Sequence, residues 1–347
     1  MWVGERHRVA EMDGALGYGV AFSIPENPMK KFLPFLTLIA VLSSASADWA
    51  LKDDANTELP GRKVDITQDG VLRARLIYGE GQIKPYLRVQ GEEGDGLNEW
   101  DPKQQFPHHR GIYIGWNKIA SDLVAPDAKA KTFDLWHMNN GGTMTLVKLD
   151  KLDAGKNAAT IVATIEWRGG GKDASGSDLL LTETRTLTVS RPTAKTTHVD
   201  AQFVLRPARD LSLGGDLQHA GVHFRASASV GTRNKETAYV WEPDLDGGKG
   251  KVVSKELKWA RLTFPIGERF YHATHLNAPT NPVEELSWRD YGRFGFFFSK
   301  DLKKDETLTL KYRFITELAE GITAKPTDEQ RAAFRKAAHA QYDAFVK

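Results

Sequence analysis

The sequence predicts an all-β protein, a large antiparallel β-sandwich with a C-terminal helix. From Val71 onward, short runs rich in Val, Ile, Leu, Thr, Tyr and Phe recur between clusters of Gly, Asp, Asn and Pro, which is typical of many short strands. Helical periodicity is scarce before residue 327. Because so many strands without interleaved helices must bury their faces against one another, we expect two packed antiparallel sheets.

The predicted strands cover most of the chain. In order they are Val71–Tyr78, Lys84–Gln90, Gly111–Trp116, Thr143–Lys148, Thr160–Arg168, Leu179–Ser190, Thr197–Arg206, Leu217–Ala226, Ala238–Trp241, Ala260–Phe264, Phe270–His275, Phe294–Phe298 and Thr307–Ile315. No proline-rich linker, internal repeat or low-complexity block separates them, although Gly169–Gly171 and Asp246–Gly248 predict long loops. We therefore expect residues 48–347 to form a single β-sandwich domain.

The predicted helix closes the chain. Thr327 followed by Asp328 and Glu329 is typical of a helix N-terminus. An apolar stripe follows at Ala333, Ala337, Tyr342 and Phe345. We expect this helix to cover an edge or an end of a sheet.

Met29, near the amino end, is a second possible translation start. Met29-Lys30-Lys31 is followed by the apolar run Phe32–Leu42 and by Ala45-Ser46-Ala47, which is typical of a cleaved signal peptide at residues 29–47. A run of about eleven apolar residues is too short for a membrane span, which needs about twenty. We expect residues 1–28 to be a wrongly assigned upstream extension, and the mature chain to be periplasmic or secreted with no membrane span.

Charge and cysteine content exclude several classes of function. The net charge is only +2, and no segment has the clustered Lys and Arg that nucleic-acid binding requires. The chain has no cysteine, which excludes disulfides, thiolate metal sites and cysteine nucleophiles. Neither a nucleophile elbow nor a phosphate-binding loop nor an HExxH helix is present.

Seven of the ten histidines fall in four places, namely His108 with His109, His137, His219 with His223, and His272 with His275. Alternation along the strand predicted at 217–226 places His219, His223 and Arg225 on one face and the apolar residues on the other. At that spacing His219 and His223 lie roughly 13 Å apart, too far to share one metal ion. If extended, His108 and His109 point to opposite sides, so we expect only one of them to enter a shared site.

Two further segments carry candidate binding groups. The run DLWH places Asp134 and Trp136 on one face and His137 on the other, unless a turn intervenes, and a Trp beside a carboxylate is suited to hold a sugar. Guanidinium groups that can together receive an anion are supplied by Arg110, Arg225, Arg289 and Arg293.

The segments PHHRGIYIGW, DLWH, QHAGVHFRA and YGRFGFFF together resemble a family of secreted bacterial proteins of largely unknown function labelled methane oxygenase PmoA or PmoA-like. The resemblance covers nearly the whole mature chain. The label implies a membrane oxygenase subunit, which needs several transmembrane helices that this sequence lacks. By analogy of fold, the pattern also looks like the galactose-mutarotase-like supersandwich of sugar mutarotases and polysaccharide-processing proteins.

The leading hypothesis is a carbohydrate-processing protein that acts on a sugar or a uronic acid by histidine acid/base chemistry. We expect His109 or His219 as one acid or base, His137 as its counterpart and Asp134 as the orienting carboxylate. The ligand would be held by His108, Arg110, Trp136, His223, Arg225, Arg289 and Arg293. Mutarotation, epimerisation, β-elimination and hydrolysis all stay open.

Two alternatives belong to other classes. A metal-dependent oxygenase-like or hydrolytic enzyme would take its ligands from His108 or His109, Asp134, His137 and His219. A non-catalytic sugar-binding or cell-surface interaction module would use its arginines and aromatic residues only as a binding groove for a small-molecule or polysaccharide ligand. Single His-to-Ala changes would then leave the affinity largely intact. The sequence assigns no metal and no cofactor.

Overall fold

A computed structural model describes residues 48–347 apart from residues 93, 102, 124–131, 140, 217, 244–256 and 283. The expected extension at 1–28, the signal peptide at 29–47 and the loop Asp246–Gly248 lie outside the described residues. No helix in the described part of the chain is long and apolar enough to span a membrane.

Nineteen strands occur in the described residues. They are β1 (Trp49–Ala55), β2 (Arg62–Gln68), β3 (Val71–Tyr78), β4 (Tyr86–Val89), β5 (Ile112–Trp116), β6 (Lys118–Ser121), β7 (Thr143–Ala154), β8 (Ala158–Arg168), β9 (Leu179–Thr193), β10 (Thr196–Pro207), β11 (Leu211–Gly214), β12 (Ala220–Arg225), β13 (Ala238–Glu242), β14 (Trp259–Ile266), β15 (Arg269–Asn277), β16 (Glu285–Arg289), β17 (Arg293–Phe297), β18 (Lys300–Leu302) and β19 (Leu308–Leu318). The helices are α1 (Ser229–Thr232), a 3-10 turn at Asn234–Glu236, and α2 (Asp328–Val346).

Two eight-stranded antiparallel sheets dominate the fold. The first sheet has the order β1-β2-β3-β4-β5-β12-β17-β16 and the second β13-β14-β15-β19-β10-β9-β8-β7, while β18-β11-β6 form a small third sheet. Inward side chains of the two large sheets meet in one apolar core, to which the first sheet contributes Ile114, Trp116, Val222, Phe294 and Phe296. The prediction of a large antiparallel β-sandwich with a C-terminal helix is confirmed.

Each of the thirteen predicted strands corresponds to a strand of the structure; Val71–Tyr78 has the predicted ends, and the other twelve are shifted at one end or both. The strand predicted at 217–226 begins only at Ala220, and that predicted at 84–90 covers only Tyr86–Val89. The sequence prediction missed β1, β2, β6, β11, β16 and β18. Of these, β1, β2 and β16 lie at or next to the edges of the first sheet, where charged residues replace the apolar pattern, and the others have only three or four residues.

The helix α2 is capped as predicted. The Thr327 hydroxyl accepts a hydrogen bond from the Gln330 backbone N–H, and the Gln330 side chain accepts one from the Thr327 N–H. The predicted apolar stripe is partly wrong, because Ala333 and Ala337 are exposed. The side chains that pack on the second sheet, against Trp259, Leu276 and Ile315, belong to Phe334, Ala338, Tyr342 and Phe345.

The centre of the first sheet has a second buried face. Along β5, β12 and β17, side chains alternate between the core and the outer face, yet every residue of these strands is buried. Apart from glycines and Phe297, the outer side chains of these strands are the polar Tyr113, His223, Arg225 and Arg293. The loops before β5 and after β6 cover them, so polar side chains are enclosed on this side of the sheet.

Candidate functional site

The site lies on this covered outer face. The loop before β5 supplies His108, His109 and Arg110, and the segment 133–139 supplies Asp134, Trp136 and His137. Ring contacts then connect His108, His109, Trp136, His137, His219 and His223. The two remaining candidate histidines lie elsewhere: His275 is stacked between Phe296 and Phe314 in the core, and His272 packs on Phe334 of α2.

His108 and His109 lie in a turn, not in an extended segment. The His109 backbone N–H donates to the Phe106 carbonyl at 2.9 Å, and the two imidazole rings are 4.1 Å apart. The expectation that only one of them enters the site is therefore wrong, because a turn lets neighbouring side chains share a side. Burial, followed by the charges of His137 and Lys84, lowers the pKa of His108 to about 3, so its imidazole is neutral at physiological pH.

Asp134 organises a tight turn that presents His137. Its Oδ1 accepts hydrogen bonds from the backbone N–H groups of Trp136 and His137, at 3.0 and 2.9 Å. Its Oδ2 lies 2.8 Å from His137 Nδ1 and accepts a bond from the Asn139 amide. Burial is the largest single influence and would raise the pKa of Asp134, but the hydrogen bonds from His137 and Trp136 together outweigh it and hold that pKa below 3.8. Asp134 is therefore an ionised partner that fixes the His137 ring.

A second carboxylate–histidine pair faces the first. His219 Nδ1 lies 2.8 and 3.0 Å from the two carboxylate oxygens of Asp216. Burial is the largest single influence on Asp216 and opposes its ionisation, but the hydrogen bonds from His219, Gln218 and Asn117 together outweigh burial and lower the Asp216 pKa. His219 precedes β12, so its direction is set by this turn and not by strand alternation. Asp216 is not among the site residues predicted from the sequence, although the pattern D-L-x-H occurs at both 134–137 and 216–219.

The two pairs bring three imidazoles together. The ring centroid of His137 lies 4.4 Å from that of His108 and 4.9 Å from that of His219. The side chains of His137 and His219 are 26% and 32% exposed, so a ligand can reach them. Because the carboxylates occupy both Nδ1 atoms, the Nε2 atoms are left for a ligand. As their side chains stand, the described His, Asp and Glu residues include no group of three or more arranged to hold a metal ion.

Trp136 does not have the role that its sequence context predicts. Its side chain is 0% exposed, which leaves no ring face for a sugar. Its indole N–H donates to His109 Nε2 at 3.1 Å, and its ring packs on Tyr113 and His223. The half-buried aromatic surface beside the histidines is instead the stacked pair of Phe106 and Tyr291, with ring centroids 5.4 Å apart.

Three of the four predicted arginines lie in one row across the sheet. Arg225 is opposite Arg293 in the β12–β17 register, and Arg293 is opposite Arg289 in the β16–β17 register. Arg110 is separate, because its guanidinium bonds to the Pro107 carbonyl and the Gln82 side chain. Arg225 and Arg293 are buried and donate to backbone carbonyls, at Ala226 and Tyr291 and at Gln218 respectively. The structure therefore does not bring all four arginines together, and only Arg225, Arg289 and Arg293 lie side by side.

A buried lysine beneath the cluster had no signal in the sequence. The Lys84 ammonium donates to the Trp136 carbonyl at 2.7 Å and lies about 5 Å from the rings of Tyr113 and Trp136. Burial lowers the pKa of Lys84 from 10.5 to about 7, although the Asp134 charge opposes this shift. Lys84 therefore holds the Asp134–His137 turn against the sheet with an amine that is only partly charged near neutral pH.

We expect Lys84→Met to change how stability depends on pH. The folded-state pKa of Lys84 is below the unfolded-state value, so the unfolded chain binds more protons between about pH 7 and 10.5. Over this window Lys84 makes the wild-type free energy of unfolding rise by about 1.4 kcal/mol per pH unit. Urea unfolding at pH 7, 8 and 9 should show this rise in the wild type and in the exposed-lysine control Lys148→Met, but not in Lys84→Met. If the free energy of unfolding changes with pH equally in the wild type and in Lys84→Met, the lowered pKa of Lys84 is contradicted.

Comparison with solved structures gives distant likenesses. The galactose mutarotase related enzyme from Lactobacillus acidophilus is 6% identical, with a TM-score of 0.37 and coverage of 80% of this chain and 100% of that one. A Glycoside Hydrolase Family 97 enzyme from Pseudoalteromonas sp. strain K8, solved with panose, is 11% identical with a TM-score of 0.33, and this chain spans 34% of it. A mutant of the heparan sulfate lyase HepC from Pedobacter heparinus is 9% identical with a TM-score of 0.29, and the match covers 80% of this chain and 36% of that one. Likenesses this distant do not transfer an activity.

Family comparison is more direct. No curated protein matches the chain. A family model described as Family of unknown function (DUF6807) matches residues 63–326, well over half of the chain and nearly all of both large sheets. The PmoA-like resemblance stays a prediction. The chain therefore belongs to the family of unknown function DUF6807.

Proposed function

We propose that the protein is a secreted or periplasmic carbohydrate-processing protein in which His137 and His219 exchange protons with one sugar ligand. The observation that carries the proposal is the pair of Asp–His contacts, Asp134–His137 and Asp216–His219, whose imidazoles face each other at 4.9 Å. A carboxylate on Nδ1 fixes the ring, sets the tautomer and stabilises the imidazolium when it forms. Both Nε2 atoms are thereby prepared for proton transfer.

The chemistry follows from the imidazole group. Imidazole has an ordinary pKa close to neutrality, so one ring can take a proton as a base while the other gives one as an acid. Sugar mutarotation, epimerisation and β-elimination each need such a pair of transfers. His109, the other acid or base expected from sequence, is 3% exposed and its Nε2 accepts from Trp136, so the second role goes to His219.

The site also suits a ring with hydroxyl groups. Phe106 lies 6.4 Å from His108 and 5.5 Å from His109 between ring centroids, and it stacks on Tyr291. An aromatic surface beside imidazole and carboxylate groups offers apolar contact to one face of a sugar and hydrogen bonds to its hydroxyls. The similar solved structures include proteins named as a mutarotase related enzyme, a glycoside hydrolase and a heparan sulfate lyase. Sugars and uronates are therefore the ligands to test first.

A binding and conversion panel tests the proposal. D-Galactose, D-glucose, D-galacturonate and D-glucuronate, together with polymers of the two uronates, are incubated with the wild-type protein and followed by NMR for anomer exchange, epimerisation, elimination and hydrolysis. We expect conversion by the wild type and none by His137→Asn or His219→Asn. A ligand that binds the wild type without conversion, and binds both variants equally well, would contradict acid/base catalysis and support a binding module. One equivalent of iron, copper or zinc that is lost in His137→Asn would support a metalloenzyme instead.

A further inference from the structure

A group of buried polar side chains lies directly beneath His108, His137 and His219. We call it the polar layer, and it consists of Glu99, His109, Tyr113, His223, Arg225 and Arg293, each at most 5% exposed. Every one of them has a side-chain nitrogen or oxygen without a hydrogen-bond partner among the described residues: Glu99 Oε2, His109 Nδ1, the Tyr113 hydroxyl, His223 Nδ1, Arg225 Nε and Arg293 Nε. Because folded proteins satisfy about nine in ten buried polar atoms, such a concentration indicates a place for a polar ligand.

The strand register places these groups side by side. Tyr113 is opposite His223 in the β5–β12 pair, and Arg225 is opposite Arg293 in the β12–β17 pair. His223 and Arg225 share a face because they are two residues apart on β12. The Tyr113 ring lies 5.9 Å from the rings of both His109 and His223. Glu99 joins the layer because its backbone N–H donates to the Arg225 carbonyl at 2.9 Å, and because burial lowers the pKa of Arg225 while the Glu99 charge opposes this stronger effect.

The tautomers of the two histidines follow from their partners. An indole N–H can only donate, so His109 Nε2 accepts from Trp136 and the neutral ring carries its proton on Nδ1. A carbonyl can only accept, so His223 donates from Nε2 to the Ala220 carbonyl at 2.8 Å and its Nδ1 is an acceptor. Burial, followed by the nearby Arg293 charge, lowers the pKa of both histidines well below 6.5, which keeps both neutral.

The unpartnered groups are richer in donors than in acceptors. The donors are His109 Nδ1–H, Tyr113 O–H, Arg225 Nε–H and Arg293 Nε–H, and the acceptors are His223 Nδ1 and Glu99 Oε2. Arg293 is near the Tyr113 hydroxyl and lowers its pKa, while burial raises that pKa more strongly, but the two form no hydrogen bond of normal geometry. The layer contains two guanidinium groups, of Arg225 and Arg293, and one carboxylate, of Glu99. The layer therefore complements an acceptor-rich group with negative charge.

We propose that the polar layer receives the carboxylate of an acidic sugar, so that the substrate class of the site is uronic acids or their oligomers. This inference rests on the proposed function, because it assigns the sugar ring to His137 and His219 and the carboxylate to Arg225, Arg293 and Tyr113. The stacked rings of Phe106 and Tyr291 cover the layer, with the Arg225 guanidinium 4.7 Å from the Tyr291 ring centroid. The ligand must part these rings to reach the arginines.

Calorimetric titration with D-galacturonate, D-glucuronate, D-galactose and D-glucose tests the inference. We expect at least one uronate to bind the wild type about tenfold or more tightly than its neutral counterpart. In Tyr113→Phe the uronate affinity should fall about 10- to 100-fold, the effect of one hydrogen bond to a charged group. The melting temperature of the unliganded variant should not fall, because the lost hydroxyl had no partner to lose. Arg313→Gln removes a guanidinium group on the second sheet, away from the layer, and controls for a general effect of protein charge; it should leave the uronate affinity unchanged.

The outcomes separate this inference from the proposed function. Equal binding of uronates and neutral sugars, no binding of either uronate, or an unchanged uronate affinity in Tyr113→Phe would each overturn the carboxylate site. If those results come with conversion of a neutral sugar that is lost in His137→Asn, the proposed function stands without it. If uronates bind through Tyr113 but the wild type and His137→Asn behave alike, the carboxylate site stands and the acid/base role fails.

Discussion

Replacing His137 by asparagine is expected to lower the turnover of the converted sugar by about 10²- to 10⁴-fold, the usual contribution of a positioned acid or base. Asparagine places an amide nitrogen near the position of Nδ1, so the contact with Asp134, now 2.8 Å, can persist while Nε2 is lost. The effect should therefore fall on kcat more than on KM, because proton transfer is lost and binding is largely kept. Steady-state kinetics on the purified variant measure this.

The chain supplies a matched control for that experiment. His339 and Asp343 form another His–Asp pair, 3.9 Å apart on the surface of α2 and away from the site. His339→Asn should keep wild-type turnover. Asp134→Asn should retain the Oδ1 acceptor that orders the turn but lose the carboxylate on His137 Nδ1, so it should shift the pH profile and lower kcat while the protein stays folded. Wild-type kinetics in His137→Asn would remove His137 from the mechanism.

Replacing Gly221 by alanine is expected to prevent folding or to cost more than about 4 kcal/mol of stability. Gly221 lies on β12 between the two site histidines, with φ of +90°, which residues with a Cβ rarely adopt. A Cβ at this position would lie 1.7 Å from the Phe296 carbonyl oxygen and 3.1 Å from the Phe297 Cα. These are backbone atoms of the paired strand β17, so no flexible side chain can move aside. Urea unfolding and the yield of soluble protein measure the effect.

Gly267 separates the two causes of that loss. It also has positive φ, at +57°, but no atom lies within 4 Å of a Cβ added there. Gly267→Ala should therefore cost only about 1–2 kcal/mol, the price of the left-handed backbone alone. Similar losses of stability in Gly221→Ala and Gly267→Ala would contradict the close approach of the β17 backbone to Gly221.

The fold was predictable because its strands carry strong local signals. Alternating apolar residues in runs such as 160–168 and 197–206 identify half-buried strands without knowledge of their partners. The edge strands β1 and β16 were not predictable in the same way, because one side of each is open to solvent and charged residues are tolerated there. The order of the strands in the sheets could not be predicted from local sequence patterns either, since β12 pairs with β5, which lies more than a hundred residues earlier in the chain.

The sequence predicts several of the side chains that the structure brings together, but not the contacts between them. Histidines at 108, 137 and 219 were recognised as candidates because polar clusters interrupt an apolar pattern. The contacts of these histidines depend on turns that strand alternation does not predict. For the same reason the sequence predicts Trp136 as a sugar-binding residue, whereas its ring is buried and its indole N–H donates to His109. Asp216 carried a usable signal, the repeated D-L-x-H, whereas Lys84 and Glu99 become important only through burial.

The most direct test of whether His137 and His219 act on one ligand is an NMR titration of the imidazole nitrogens. The titrant is the sugar or uronate that binds in calorimetry. The ring signals of His137, His219 and His339 are assigned with the three His→Asn variants. If His137 and His219 act on one ligand, their Nε2 signals shift together with a single midpoint, while those of His339 stay in place. If the ligand binds and the Nε2 signals of both His137 and His219 stay unchanged, the two Asp–His pairs do not act on the ligand, and the proposed proton exchange is wrong.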